Sequence, residues 1–475
     1  MVKKDMYSAK KLIRGLEGIF EIALLAAVYY LAWRKGYDNG AFPNYFGRGK
    51  YVLIGIYVLI TLALFSSFDG FKFGYLRLTD TILSQWIALF ITNVITYGQL
   101  CLIANVMVAP VPMLMLMVVD MVIAFVCCFC YAKLYHRLYV PKNMLMIFGT
   151  NDSLTLKFKM DTRRDKYRIT KLIPEQAGFK KICEQIPNYD AVIINDVSAQ
   201  LRNDIVKYCY QNQIRTYITP KISDVIIGGG ENISLFDTPL VLINGKGLTP
   251  MQRFIKRLMD LVISLVVLIL ASPFMLIVAL AIKLEDGGPV FFTQKRATLG
   301  GKEFNILKFR SMIVDAEKEG FSIPATGRDP RITKVGHVIR ATRLDELPQL
   351  LNILKGDMSV VGPRPERLEH VMKYSEEIPE FAYRLKVKGG LTGYAQIYGK
   401  YNTAPYDKLR LDLMYIENYS TILDIKLLLT TIRIMLKKES TEGFEKLEEL
   451  EKLKQEALAQ VFSEENEPEK IGAGK

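Results

Sequence analysis

Four long apolar runs fill the first third of the chain, at roughly residues 15–33, 51–67, 83–108 and 112–132. Each is close to the ~20 residues a helix needs to cross a hydrocarbon layer. They predict a four-helix transmembrane domain over residues 1–140. The link Ala109-Pro-Val-Pro112 is uncharged, whereas the amino terminus (Lys3, Lys4, Lys10, Lys11, Arg14) and the segment after the fourth run (Lys133, Arg137, Lys142) are basic. Basic loops stay on the cytoplasmic side, so both ends of this domain are expected there, with Arg34, Lys35, Arg48 and Lys50 running mildly against that orientation. The first run ends at Arg34-Lys35 without a small-residue cleavage pattern and reads as an uncleaved anchor. Asp120 lies inside the fourth run. With no basic residue in the neighbouring runs to pair with, it is expected to pack helices rather than to carry chemistry.

From residue 143 to 245 the pattern changes to short β-rich runs (Met144–Phe148, Ala191–Ile194, Thr216–Ile218 and Leu240–Ile243) separated by polar, helix-compatible stretches. Such alternation predicts a Rossmann-like α/β domain with a parallel sheet. A dinucleotide site would need a glycine-rich turn after the first strand. Gly149-Thr-Asn-Asp-Ser153 offers a single glycine, so no cofactor is expected in this domain.

A fifth apolar stretch runs from residue 258 to 282, flanked by Lys256-Arg257 and Lys283 and interrupted at its centre by Ser272-Pro273. Proline removes a backbone donor and bends a helix, and a neighbouring serine hydroxyl can satisfy the carbonyl thus freed. With both flanks basic, a re-entrant helix over 257–283 that enters one leaflet and returns is expected in preference to a kinked full span.

The net charge of +13 suits nucleic acid, anionic lipid or phosphorylated substrates, and the membrane segments tip the choice to membrane lipids and phosphate. The six cysteines show no zinc-ribbon spacing and none lies in the motif-rich part, which points to a reducing compartment. Cys127, Cys128 and Cys130 fall in an apolar run and read as packing residues. In Arg340-Ala-Thr-Arg-Leu-Asp-Glu-Leu-Pro-Gln-Leu350, the adjacent acids Asp345 and Glu346 stand among arginines, after Lys308-Phe-Arg310 and before Gly356-Asp-Met-Ser-Val-Val-Gly-Pro-Arg-Pro365. Acids ringed by fixed cations stay ionised and suit a nucleophile or metal ligand acting on phosphate.

The ordered series Lys256-Arg-Leu-Met-Asp260, Ser272-Pro273, Gly288-Pro-Val-Phe-Phe-Thr-Gln294, Lys308-Phe-Arg-Ser-Met312, Asp315-Ala-Glu317, Leu344-Asp-Glu-Leu-Pro-Gln-Leu350, Gly356-Asp-Met-Ser359 and Val361-Gly-Pro-Arg-Pro365 resembles the bacterial sugar transferases. More closely, it resembles the monotopic phosphoglycosyl transferases that start polysaccharide assembly on a polyprenyl phosphate. The likeness covers residues 250–438, an α-rich catalytic domain, and the first 245 residues look like the added domains of the larger members.

The resemblance implies that Asp345 attacks the β-phosphorus of a nucleotide sugar with Glu346 as its dyad partner. It further implies a UDP-sugar donor, undecaprenyl phosphate as acceptor, and the start of a capsule or exopolysaccharide. Attack by a carboxylate on phosphorus needs the anionic repulsion cancelled, so Mg²⁺ at Asp345 and Glu346 is expected. Lys308, Arg310, Arg340 and Arg364 are expected around the phosphates, since arginine's fork matches phosphate oxygens. The Pro363-Arg364-Pro365 turn resembles the family's nucleotide site. Asp357 is expected to orient the arginines, and Asp424 to do the same or to cap a helix.

Two departures from the family pattern bear on detail. Thr298 stands where the family has glycine, leaving the turn to Gly300-Gly301, and Tyr394 and Tyr398 replace common tryptophan and asparagine near the expected sugar site. The tail, 439–475, is acidic and amphipathic, and with the α/β domain it suggests a homodimer. The alternatives are a membrane-bound nucleotide-sugar pyrophosphatase, or a non-catalytic scaffold of polysaccharide assembly that would not need the acid pair.

Overall fold

The computed structural model describes residues 2–37, 49–138, 141–149, 154–245, 247–314, 329–399 and 403–435. The Asp315-Ala-Glu317 motif, residues 150–153 that follow Gly149, and the tail at 439–475 lie outside the described residues. The chain divides into two compact units, Met1–Val140 and Pro141–Lys475.

The first unit holds helices α1 (Val2–Gly36), α2 (Gly49–Ser67), α3 (Leu78–Ala104) and α4 (Val111–Leu138). All four contain a stretch long and apolar enough to cross a membrane. Polar groups link these helices from within. Asp120 on α4 accepts from Tyr57 Oη on α2 at 2.8 Å and from Asn93 Nδ2 on α3 at 2.9 Å. These two neutral donors join three helices and fit the packing role. A second knot was not foreseen from the residues: Gln85 donates to Glu21 Oε2 at 3.0 Å and accepts from the Cys128 thiol at 3.0 Å, tying α1, α3 and α4.

In the second unit, β1 (Lys142–Phe148), α5 (Leu154–Asp161), β2 (Tyr167–Pro174), α6 (Gly178–Gln185), β3 (Ala191–Asn195), α7 (Ala199–Gln211) and β4 (Arg215–Ile218) form a parallel four-stranded sheet in the order β2-β1-β3-β4. Strand β2 went unpredicted: as an edge strand with one open face it carries Arg168 and Lys171, which break the apolar run. Gly149, at the end of β1, passes so close to the Asp196 carbonyl that a Cβ would lie 2.0 Å from it. That glycine serves a chain crossing within the sheet.

The run Leu240–Ile243 does not join this sheet. It falls in an antiparallel hairpin of β5 (Glu231–Leu235) and β6 (Thr238–Leu242). The reason is the preceding helix α8 (Ile222–Gly228), whose Ile222 and Val225 are buried in the core of the motif-bearing part, which carries the chain away from the sheet.

Helix α9 (Pro250–Asp286) begins with a capping box between Thr249 and Gln252 and ends at Gly287 in the left-handed region. It stays helical through Ser272 and Pro273. Pro273 has no N–H for the carbonyl of Ile269, four residues back, and the Ser272 hydroxyl donates to that carbonyl at 2.8 Å instead. Next come the antiparallel pair β7 (Phe291–Ala297) and β8 (Glu303–Phe309), then α10 (Lys334–Ala341), a 3₁₀ turn at Leu344–Glu346, α11 (Gln349–Lys355) and β9 (Ser359–Val361). The remainder is α12 (Leu368–Glu377), a 3₁₀ stretch at Pro379–Lys386, β10 (Gly390–Thr392), α13 (Tyr394–Tyr398), α14 (Pro405–Glu417) and α15 (Thr421–Met435). Leu350, Ile353, Val361, Phe381, Leu409, Leu413 and Leu427 make the core that holds these short pieces in place.

Candidate active site

Asp345 and Glu346 occupy the 3₁₀ turn between α10 and α11, entered through Arg343 at φ 57°. Their environments differ. Glu346 Oε1 accepts from Lys308 Nζ and from Arg364 Nη2, both at 2.9 Å. Burial alone would raise the Glu346 carboxyl, but the Arg364 charge and then that of Lys308 overcome it and hold the group far below the ordinary range. Asp345 makes no side-chain hydrogen bond to the described residues. Burial pushes its carboxyl up, the Glu346 charge adds to this, and Lys308, Arg340 and Arg364 pull the other way. Lys308 is itself lowered, by burial first and then by Arg364, against the pull of Glu346. The turn thus presents one acid that is locked and ionised and one that has no hydrogen-bond partner among the described residues.

Three expected cations gather here: Lys308 from β8, Arg364 from the loop after β9, and Arg340 from the last turn of α10, whose charge acts on Asp345. Arg310 is placed elsewhere. Its guanidinium closes on the Asp286 carboxylate, with Nη1 to Oδ2 at 2.6 Å and Nη2 to Oδ1, while Nε donates to the Pro289 carbonyl at 2.7 Å. Alternate residues of a strand point to opposite faces, so Lys308 and Arg310 on β8 and its extension share a side, and the nearby carboxylate of Asp286 decides which anion Arg310 meets. That pairing fastens the carboxyl end of α9.

The two supporting acids also have other partners than expected. Asp357 lies 3.4 Å from Lys355 Nζ, and its main-chain carbonyl accepts from Thr298 Oγ1 at 2.9 Å. It touches neither Arg340 nor Arg364. Asp424 is fully buried against Lys256 Nζ at 2.6 Å and accepts from Tyr415 Oη at 2.8 Å. Capping at this helix start falls to Ser420, whose Oγ accepts from Leu423 N at 3.1 Å. Asp424 therefore pins the amino end of α9 to the motif-bearing body.

Pro363, Arg364 and Pro365 border a small recess, with Arg384, Thr298 and Gly389 among its other walls. The Arg364 side chain leaves this loop for Glu346. Gly389 is required here because a Cβ would come 2.6 Å from Pro365 Cγ. Thr298 donates to the Asp357 carbonyl and accepts from Gly389 N at 3.2 Å, joining two loops, while Gly300 (φ 67°) and Gly301 (φ 79°) make the turn. Tyr394 and Tyr398 pack on each other along α13, 4.6 Å between ring centres. Sequence reading missed the support beneath the Pro-Arg-Pro loop, formed by Arg384, Asp412, Glu366 and Lys408. Only the rarity of charged residues among apolar helix positions could have signalled it.

Residues 251–438 match the bacterial sugar transferase family. The chain is 36% identical over 327 residues to the UDP-N-acetylgalactosamine-undecaprenyl-phosphate N-acetylgalactosaminephosphotransferase of Aeromonas hydrophila, covering 66% of this chain and 72% of that protein. It is 40% identical over 248 residues to a UDP-glucose:undecaprenyl-phosphate glucose-1-phosphate transferase of Klebsiella pneumoniae, about half of each chain (51% and 51%). A putative undecaprenyl-phosphate N-acetylgalactosaminyl 1-phosphate transferase of Bacillus subtilis is 50% identical over 131 residues, 28% of this chain and 73% of that one. With the family's motif region matched and most of the Aeromonas protein covered, this chain belongs to the bacterial sugar transferase family and is a phosphoglycosyl transferase.

Proposed function

We propose that the enzyme moves a hexose 1-phosphate from a UDP-sugar to undecaprenyl phosphate at the cytoplasmic face of a bacterial inner membrane, as a homodimer, beginning a capsule or exopolysaccharide. The observation that carries this reading is the division of labour in the acid pair: Lys308 and Arg364 occupy Glu346, and Asp345 is left without a hydrogen-bond partner among the described residues. An oxygen of Asp345 forms a bond to the β-phosphorus as the bond from that phosphorus to the bridging oxygen breaks. UMP leaves with the electron pair. A phosphate oxygen of the lipid then attacks the same phosphorus, the aspartyl bond breaks, and the carboxylate returns. Arg364, Lys308 and Arg340 offset the charge that builds on the transferring group.

Asp345 and the second oxygen of Glu346 fit Mg²⁺, a hard ion that takes one or two carboxylates and fills its other positions with substrate phosphate and water. Bound with the diphosphate, it would neutralise charge that three side chains only partly offset.

The re-entrant geometry of α9 belongs to the same proposal. At one end Lys256 meets Asp424, and Arg257 donates to the carbonyls of Ile353 and Leu354 at 2.6 and 2.7 Å. At the other, Glu285 accepts from Lys334 N at 2.8 Å and Asp286 holds Arg310. One charged body grips both ends, which a helix crossing ~30 Å of hydrocarbon would set on opposite sides. Single cysteines replacing exposed Met251 and Leu284, with the six native cysteines changed to serine, are expected to react with an impermeant maleimide only from the cytoplasmic side. Labelling of the two positions from opposite sides would establish a full span.

The reaction is tested by UMP release from UDP-sugars with and without undecaprenyl phosphate. Sustained release should require the lipid, whereas lipid-independent release of sugar phosphate would indicate a pyrophosphatase. The acid limb gives a second test. Attack needs Asp345 ionised, and its carboxyl is raised, so kcat/KM for the donor should fall as pH drops through a value above the ~3.9 of ordinary aspartate. A limb at or below that value would contradict the assignment.

A further inference from the structure

We propose that Arg384 is a positioning residue for the transfer, setting the place of Arg364 and, through it, of Glu346. This rests on the proposed function of the acid pair and names a part of the machinery that lies outside its motifs.

Arg384 sits in the 3₁₀ stretch before β10 and is 2% exposed, the largest fully buried side chain among the described residues. Its guanidinium lies over the Phe381 ring, 4.9 Å from the centroid. Nη2 donates to the main-chain carbonyl of Arg364 at 3.0 Å and stands 2.7 Å from Asp412 Oδ2 on α14, a carboxylate that is 1% exposed. Nη1 is 3.6 Å from Glu366 Oε1, which Lys408 reaches at 2.5 Å.

A buried ion pair is a poor source of stability, because an apolar pair of the same volume commonly does as well or better. What an apolar pair cannot supply is a donor for the Arg364 carbonyl. The loop needs one from outside, since in Gly362-Pro-Arg-Pro365 two of four residues lack an N–H. Three successive carbonyls are each held by a distant group: Pro363 by Gly390 N at 2.8 Å, Arg364 by Arg384, and Pro365 by Arg296 Nη1 at 3.2 Å. Of these, only the bond from Arg384 falls on the residue whose side chain reaches Glu346. Asp412 keeps Arg384 in place, Arg384 keeps the Arg364 main chain in place, and Arg364 meets Glu346 at 2.9 Å.

The test uses the full chain in lipid nanodiscs and reads donor kcat/KM, acceptor KM and thermal unfolding together. Arg384→Met alone leaves Asp412 uncompensated, so it is paired with Asp412→Leu to restore an apolar core. The double variant should unfold near the wild-type temperature yet lose about 30-fold in donor kcat/KM, with the KM for undecaprenyl phosphate unchanged. Arg384→Lys retains the charge beside Asp412 but has no planar fork to reach the carbonyl as well, and should lose about 10-fold. In an Arg364→Ala background the double change should cost less than about 3-fold more, because residues that act through one another are not additive. A stable double variant with wild-type kcat/KM, or losses that multiply independently of Arg364, would overturn the proposal. The wild-type assay run alongside reports on the reaction, and the ratio of variant to wild type on Arg384, so the two can fail separately.

Discussion

Replacing Asp345 by asparagine is expected to lower lipid-dependent UMP release by at least about 10⁴-fold, because an amide can neither form the bond to phosphorus nor leave from it. The fold should survive, since Asp345 makes no side-chain hydrogen bond to the described residues that asparagine would break. Glu346→Gln should act differently. It removes the charge that both Lys308 and Arg364 face at 2.9 Å, so the two cations repel one another and the phosphate site loses its shape. A loss of about 10²-fold with a higher donor KM is expected there. Were the asparagine variant to keep normal release while the glutamine variant lost it, the roles of the two acids would be exchanged.

The second large effect concerns how α9 is fastened. Lys256 and Asp424 are 5% and 0% exposed and 2.6 Å apart, with Tyr415 Oη bridging to both at 3.1 and 2.8 Å. Removing one member strands the other charge away from water, which costs about 3–5 kcal/mol. Asp424→Ala should therefore destabilise the protein by that amount, read as a lower unfolding temperature in nanodiscs. Tyr415 Oη also stands 3.2 Å from the carbonyl of Val361, and Asp260 Oδ1 accepts from Ser359 Oγ and Val360 N, both at 2.9 Å. Since β9 leads directly to Gly362-Pro-Arg-Pro365, the damage should reach catalysis. Lys256→Met with Asp424→Leu should recover most of the stability. If Asp424→Ala unfolds at the wild-type temperature, the pair does not anchor the helix.

What could be read in advance follows from range. The long apolar helices were legible because a run of about twenty apolar residues has few other fates. Strands β1 and β3 were legible because a sheet covered on both faces leaves short continuous apolar runs; β4, itself an edge strand, was legible from its β-branched and aromatic residues, and β2 was not because its open edge admits Arg168 and Lys171. The hairpin at Leu240–Ile243 has the composition of an inner strand, and only the packing of Ile222 and Val225 into the other core takes it out of the sheet.

At the site, the adjacency of Asp345 and Glu346 announced a pair, and Lys308 and Arg364 followed from their charge. The fates of Arg310, Asp357 and Asp424 were not legible. Each took the nearest opposite charge in space, Asp286, Lys355 and Lys256, and only that of Asp357 is also near in sequence. Motif membership shows that such a residue matters. It does not show whether it faces the substrate or the scaffold.

The proposed mechanism requires a carboxylate oxygen of Asp345 to become bonded to phosphorus during turnover. The most direct measurement is to mix the enzyme with a labelled UDP-sugar in the absence of undecaprenyl phosphate, quench, and map the label by peptide mass spectrometry. A phosphosugar is expected on the peptide bearing Asp345, absent from Asp345→Asn and discharged when the lipid is added. Turnover with the lipid at an undiminished rate and no adduct on that peptide would contradict it.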